Sequence, residues 1–357
     1  MPYRIFSYIS PRALGDVALF ALFTSSVAEL FDECELILYY RDDRPYKAGI
    51  VSCIRNAKRV LKPTSETAIL PIELFDAAGW SPRVPEALST PDIRSPDLIL
   101  SQTVFKEGML NSIPLATLAP PPEEIDRSDA ALIELGLDPE RWVATIYWKE
   151  PAYGFRPPEP WREIADPEPY FAVIRHIIED LGGQVVRLGH PSPTVPPKMK
   201  GLIDLAHVPN SEWLQLYAVW ISRFLFSSLS GPLSYGPAFN VPTVVTDQRS
   251  SLGVYRAHDY IVTQGCRFGG KMLRGSEAFA AGILNDWGKD PAKYVANTAQ
   301  ELIAAANEMY GITQNCVGWR AHLDPPPPAT RPNKLCVPLP IVARPELFIP
   351  PSQRLRA

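Results

Sequence analysis

Cysteine is scarce in this sequence: Cys34, Cys53, Cys266, Cys316 and Cys336 are the five among 357 residues. An odd number of widely spaced thiols with no CxxC pair excludes a readable zinc ribbon or thioredoxin-type redox pair. Reduced thiols in a cytoplasmic protein are expected instead. Charge of one sign is lacking too, since 35 Lys and Arg stand against 39 Asp and Glu for a net charge of −4. That balance offers no electrostatic footprint for nucleic acid. Long hydrophobic runs are missing as well. The nearest candidate, Val17 to Phe31, is too short to span a bilayer and contains Thr24, Ser25, Ser26 and Glu29. The residues before it, Tyr3 to Ile9, alternate like a strand and not like the basic region of a signal peptide. Peripheral contact with a membrane stays open. No HExxH and no other histidine pair at ligand spacing occurs, so no metal site is expected.

Proline, by contrast, is abundant: 39 residues, where an ordinary chain of this length carries about 5%. Because proline lacks an N–H and clashes with the preceding turn, this density excludes long helical bundles and coiled coils. The chain is nevertheless 46% hydrophobic, too apolar for disorder and long enough for about two domains. The prolines gather near 120–122, in loops at 151–169 and 191–197, and beyond Asp324.

Two similar halves are readable. The first opens with a strand at 3–9, a turn at Ser10–Asp16 and an amphipathic helix from Val17 to about Phe31. Glu35–Tyr40 reads as a buried parallel strand, followed by short apolar runs at Ala68–Ile72, Asp97–Leu100 and Pro114–Leu118. Residues 120–127 read as a linker, and a helix is expected from Ser128 to Leu135. The second half shows strands at Trp142–Trp148, Gln184–Gly189, Leu202–Leu205, Phe224–Phe226 and Val241–Thr246. Helices are expected at 167–181, 211–222 and 290–310. Five strands with intervening helices predict a doubly wound sheet of nucleotide-binding type.

The segment from Leu135 to Asp247 resembles bacterial glycosyltransferase-like proteins of the two-domain GT-B type. The resemblance rests on the order of elements, on the Gly182–Gly189 strand, and on the stretch Ser227–Asp247, where a Ser/Gly loop leaves a central strand and opens a helix. Lys149 and Tyr153 stand where such proteins carry an arginine and a tyrosine, followed by Arg162, Asp166 and Tyr170. The Leu14-Gly15-Asp16 turn is similar to the GD loop of heptosyltransferase-like enzymes. This implies an α/β, GT-B-like fold: two Rossmann-like doubly wound domains facing a cleft, with a Pro-rich tail. Residues 1–119 would form the acceptor domain, 128–311 the nucleotide-sugar domain and 312–357 the tail. The implied reaction moves a sugar from a nucleotide-diphosphate sugar to an acceptor hydroxyl, with no cofactor besides that substrate.

Such a reaction develops negative charge on the departing diphosphate, so cations and N–H donors must be aimed at phosphate oxygens. Ser227, Ser228, Ser230, Gly231 and Ser234 are the candidate phosphate contacts, because unpaired N–H groups and the helix dipole meet an anion at a helix start. The alternative is an ordinary turn with Ser230 as N-cap. Lys149, Tyr153, Arg187 and His190 are further donor-site candidates at strand ends, and for Arg187 a structural ion pair is the competing reading. Asp16 is either the general base that takes the acceptor's proton, giving inversion, or a helix cap. Arg12 and Gly15 of the same loop are candidate acceptor contacts. Asp42-Asp43 is flanked by Arg41 and Arg44, which oppose a cation, and reads as an exposed strand end. Metal-independent transfer is therefore expected. A nucleotide-sugar epimerase of the same fold and a catalytically silent binding or scaffold protein are the alternatives. The tail mixes proline with Leu339, Ile341, Leu347, Phe348 and Ile349 and is expected to pack on a domain, a partner or a second copy.

Overall fold

The computed structural model describes residues 2–9, 11, 13–61, 97–100, 105, 109–110, 112–151, 163–191, 194–248, 255–256, 259–274, 277 and 294–313. Expectations for Arg12, Tyr153, Arg162, the Ala68–Ile72 strand and the tail fall outside these residues. The chain divides into two compact units, with the break between Pro121 and Pro122.

In the first unit, β1 (Tyr3–Ile9), β2 (Cys34–Tyr40), β3 (Ala57–Leu61) and β4 (Leu98–Leu100) form a parallel sheet ordered β3-β2-β1-β4. β1 and β2 pair in unbroken register from Tyr3 opposite Cys34 to Ile9 opposite Tyr40. Helix α1 (Leu14–Ala28) begins earlier than expected and is not amphipathic, for every residue from Val17 to Ala28 is buried. Its hydroxyls are satisfied inside the unit. Thr24 Oγ1 hydrogen-bonds Ser7 Oγ at 2.8 Å, and Ser26 Oγ donates to Leu22 O at 2.7 Å while accepting from Ala116 N at 2.9 Å. Helix α2 (Lys47–Ser52) follows β2. β3 is an addition to the expected strands, and the Pro114–Leu118 run forms no strand.

In the second unit, helix α3 (Pro122–Glu134) takes up most of the stretch expected as a linker. Proline fits the first helical position, where no N–H is needed, and Glu123 and Glu124 favour the positive end of the helix dipole. Six parallel strands follow: β5 (Val143–Tyr147), β6 (Gln184–Arg187), β7 (Leu202–Asp204), β8 (Phe224–Ser228), β9 (Thr243–Gln248) and β10 (Tyr260–Thr263). They are ordered β10-β9-β8-β5-β6-β7, so the direction of winding reverses between β5 and β8. A ligand crevice belongs beyond the carboxyl ends of the strands at that point.

Alternation along these buried strands covers both faces. Ala144, Ile146, Val185, Phe224, Phe226, Val244, Tyr260 and Val262 pack with helices α4 (Glu168–Glu179) and α7 (Ala299–Ile312) into one core. Each large side chain removed from water there contributes about 1.5–3 kcal/mol. The opposite face carries α5 (Glu212–Trp220) and α6 (Tyr235–Phe239), with Leu233, Val245 and Ile261 packed together. Gly236 permits close approach of α6 to the sheet, because a Cβ there would lie 1.9 Å from Thr243 Oγ1. Helix α7 starts at a capping box formed by Thr298 and Glu301, later than the expected residue 290. A small antiparallel sheet of β11 (Gly265–Phe268), β12 (Lys271–Leu273) and β13 (Tyr294–Val295) was also not expected.

Candidate functional site

The carboxyl ends of β5 and β8 meet at the reversal point, with Tyr147 opposite Ser227 in register. β8 runs out into Leu229 and Ser230, then a 3-10 turn (Gly231–Ser234) that continues into α6. The expected helix after the Ser/Gly loop is therefore a tight turn followed by a short α-helix. Pro232 carries no N–H, and the Leu233 N–H is spent on Ser230 O at 3.1 Å. The turn thus offers an anion fewer amide donors than an ordinary helix N-terminus.

The serines of this loop are not equivalent. Ser227 Oγ donates to Ser228 O at 2.9 Å and is fully buried. Ser228 Oγ accepts the Lys149 N–H at 2.9 Å and is buried as well. The structure thus gives both buried hydroxyls internal partners. Ser230 differs. Its extended backbone (φ −165°) makes no side-chain cap, and its Oγ accepts from Tyr147 Oη at 3.0 Å, which leaves its own proton for an acceptor. Ser234 is buried one turn further on.

Lys149, two residues past the end of β5, is buried, with 5% of the residue exposed. Its peptide is held on both sides, N–H to Ser228 Oγ and C=O from Ile164 N at 2.7 Å. Arg187, at the end of β6, is committed elsewhere. Its guanidinium donates to Glu150 Oε1 at 3.0 Å, Asp204 Oδ2 at 3.1 Å and Thr194 O at 2.9 Å, and stacks 4.3 Å above the Trp148 ring. The structural ion pair prevails over the donor-site reading, because the buried Glu150 and the partly buried Asp204 carboxylates require that charge. Trp148 Nε1 donates to the same Glu150 oxygen at 2.9 Å, and His207 Nδ1 lies 2.7 Å from Asp204 Oδ2.

His190 is exposed, just past a Gly189 whose φ of +145° suits glycine alone. The Gln215 amide brackets that glycine, accepting its N–H and donating to its C=O, both at 2.8 Å. Partial desolvation lowers the His190 pKa against an opposing push from Glu212.

Sequence reasoning assigned no role to the group at the ends of β8 and β9. Tyr170 Oη donates to Asp247 Oδ2 at 2.8 Å and meets Thr246 Oγ1 at 2.7 Å. Asp247 Oδ1 accepts from Asn297 N and Asp247 N donates to Asn297 Oδ1, both at 2.7 Å. Burial raises the pKa of both Tyr170 and Asp247. The sequence signal was present: Tyr170 and Thr246-Asp247 stand in the segments that carry the family resemblance.

In the first unit, Gly15 and Asp16 lie in the first turn of α1, directly after β1 and beside the β1/β4 reversal of winding. Asp16 is exposed and is not the cap, which is Ala13 without a side-chain bond. Asp43, past the end of β2, pairs with buried Lys47 at 2.8 Å. Among the described residues, no group of three or more His, Cys, Asp or Glu could hold a metal ion, and no helix is long and apolar enough to cross a membrane.

No family model matches the sequence, and no curated protein matches it. Solved structures do. The glycosyl transferase family 9 structure from Veillonella parvula DSM 2008 is similar over 86% of this chain and 97% of its own, with TM-score 0.54 and 14% identity. The fold is GT-B-like. The ADP-heptose lps heptosyltransferase II of E. coli is similar over 87% and 98%, with TM-score 0.51 and 12% identity. The GT-B-like expectation thus stands for the α/β architecture, including the parallel doubly wound sheet of the second unit.

Proposed function

We propose that this protein is a glycosyltransferase that binds the diphosphate of a nucleotide sugar at the β5/β8 reversal point and transfers the sugar to an acceptor hydroxyl. The observation that carries the reading is Ser230: a hydroxyl held by Tyr147 at the carboxyl ends of two central strands, with its proton left to donate. GT-B-like folding of the chain supports it.

In this reading Ser230 Oγ–H and the Gly231 backbone meet the departing diphosphate, and the Lys149 ammonium neutralises charge that grows as the glycosidic bond breaks. Lysine does so as a point charge, without the bidentate fork of arginine. Transfer requires that the acceptor lose a proton, and Asp16 in the first turn of α1 is the proposed base. Displacement by the acceptor oxygen on the face opposite the leaving diphosphate inverts the anomeric carbon. We propose that the transfer needs no metal ion.

Titration calorimetry with ADP, UDP, GDP and CDP tests the donor site directly. Saturable binding of at least one supports the reading, and binding of none overturns it. Turnover of a nucleotide sugar with no acceptor hydroxyl present would contradict transfer and favour an epimerase.

A further inference from the structure

Resting on that reading of the β5/β8 mouth, we propose that Arg187 is a positioning residue for donor binding: it holds the Glu150 carboxylate against its guanidinium and so keeps that negative charge from Lys149 and the diphosphate. The need arises in the sequence, because the lysine proposed to meet phosphate is followed directly by a glutamate. Adjacent Cα atoms are only about 3.8 Å apart. A carboxylate swung towards Lys149 would pair with the ammonium or repel the diphosphate. A water-poor site screens neither effect well.

The structure holds that carboxylate elsewhere. The Lys149 peptide is fixed by Ser228 Oγ at 2.9 Å and by Ile164 N at 2.7 Å, so the Glu150 side chain decides where its charge lies. Its Oε1 accepts from Trp148 Nε1 at 2.9 Å and from Arg187 Nη2 at 3.0 Å. Trp148 and Glu150 thus meet on one side of the chain, as residues two apart do in extended backbone. Oε2 is buried and has no hydrogen-bond partner. The carboxylate is therefore compensated by Arg187, with the two side chains 6% and 3% exposed. Arg187 is itself fixed by Asp204 Oδ2 at 3.1 Å, by Thr194 O at 2.9 Å and by the Trp148 ring at 4.3 Å. It stands opposite Asp204 in the β6–β7 register. A guanidinium so held does not follow Glu150; it anchors the carboxylate at the end of β6.

Substitutions at Glu150 separate this role from bulk stability. Glu150→Asp keeps the charge but shortens the side chain by one methylene, drawing the carboxylate off the guanidinium. Glu150→Gln keeps an oxygen for Trp148 and Arg187 and removes the charge. Asp204→Asn is the control, because it weakens the other arm of Arg187 and leaves Glu150 held. Affinity is read by titration calorimetry with ADP, UDP, GDP and CDP at about pH 8, above the ordinary carboxylate range. The proposal expects Glu150→Asp to bind at least about fivefold more weakly than the wild type, with Glu150→Gln and Asp204→Asn within about twofold of it. Arg187→Met should also bind at least about fivefold more weakly, and adding Glu150→Gln should return most of that loss. The Glu150 series decides the matter even where Arg187→Met does not fold. Wild-type affinity in Glu150→Asp, an equal loss in Glu150→Gln, or an equal loss in Asp204→Asn would each overturn the proposal. If the wild-type chain binds none of the four diphosphates, the donor-site reading fails and this proposal with it. Binding by the wild type that Glu150→Asp leaves unchanged sinks this proposal alone.

Discussion

Tyr147, the last residue of β5, donates to Ser230 Oγ at 3.0 Å across the point where the second sheet reverses its winding. That bond orients Ser230 Oγ and leaves its own proton to donate. Ser227 and Ser228 are buried, one donating to a backbone carbonyl and one accepting the Lys149 N–H. A Ser-rich loop thereby divides into one serine held by a tyrosine hydroxyl and two held against the backbone.

Removing the Tyr147 hydroxyl should loosen Ser230 without unfolding the sheet. Tyr147→Phe is expected to weaken nucleoside diphosphate binding by about two- to tenfold, the range of one hydrogen bond of 0.5–1.5 kcal/mol. In a Ser230→Ala background the same change should add little, because its partner is already gone. Calorimetry on the two single variants and the double variant gives that coupling directly.

Arg187 is expected to matter for stability. Arg187→Leu strands Glu150 and Asp204 near the end of β6, and breaking such a buried pair costs about 3–5 kcal/mol. Urea unfolding should show the loss as a lower midpoint. A variant as stable as the parent would show that the ion pairs of 3.0 and 3.1 Å hold little of the unit together.

The contact between α6 and β9 predicts a steric penalty. Gly236→Ala places a Cβ 1.9 Å from Thr243 Oγ1 and should destabilise by about 1–3 kcal/mol, as overpacking does. Thr243→Ala removes the clashing oxygen, so the double variant should recover part of the loss in thermal unfolding.

Asp259 gives a pH signature. Fully buried, its carboxyl is raised to about 7 by desolvation, against the N–H groups of Thr243, Tyr255 and Arg256 that it accepts. Between the unfolded value of 3.8 and about 7, the folded chain keeps a proton that the unfolded chain has lost. This group's contribution is therefore fully present below 3.8 and declines as pH rises to about 7, then levels off. A carbon-13 titration of the Asp259 carboxyl should show its midpoint near 7. A midpoint near 4 would contradict the desolvation argument.

Strands β5, β6, β8 and β9 were legible because strands buried on both faces read as continuous apolar runs between turn residues. β3 was not, since Lys58 and Arg59 point to solvent from a sheet edge and break the apolar pattern. Helix α3 begins earlier than the sequence suggests because its prolines read as a linker, while Pro122 occupies a position that suits proline. The site was legible as a location and only partly as chemistry. The Ser/Gly loop could be singled out, but the choice among its serines depends on Tyr147 and Lys149, 83 and 79 residues away from Ser230 and Ser228 respectively. Arg187 showed the same limit, because its partners Glu150 and Asp204 come from other strand ends.

Titration calorimetry of the wild-type chain and Ser230→Ala with ADP, UDP, GDP and CDP tests the central claim most directly. The account predicts saturable binding of at least one diphosphate by the wild type and a clear loss of affinity in Ser230→Ala, with the far-ultraviolet circular dichroism unchanged. No binding by the wild type, or equal affinity in the two proteins, would contradict it.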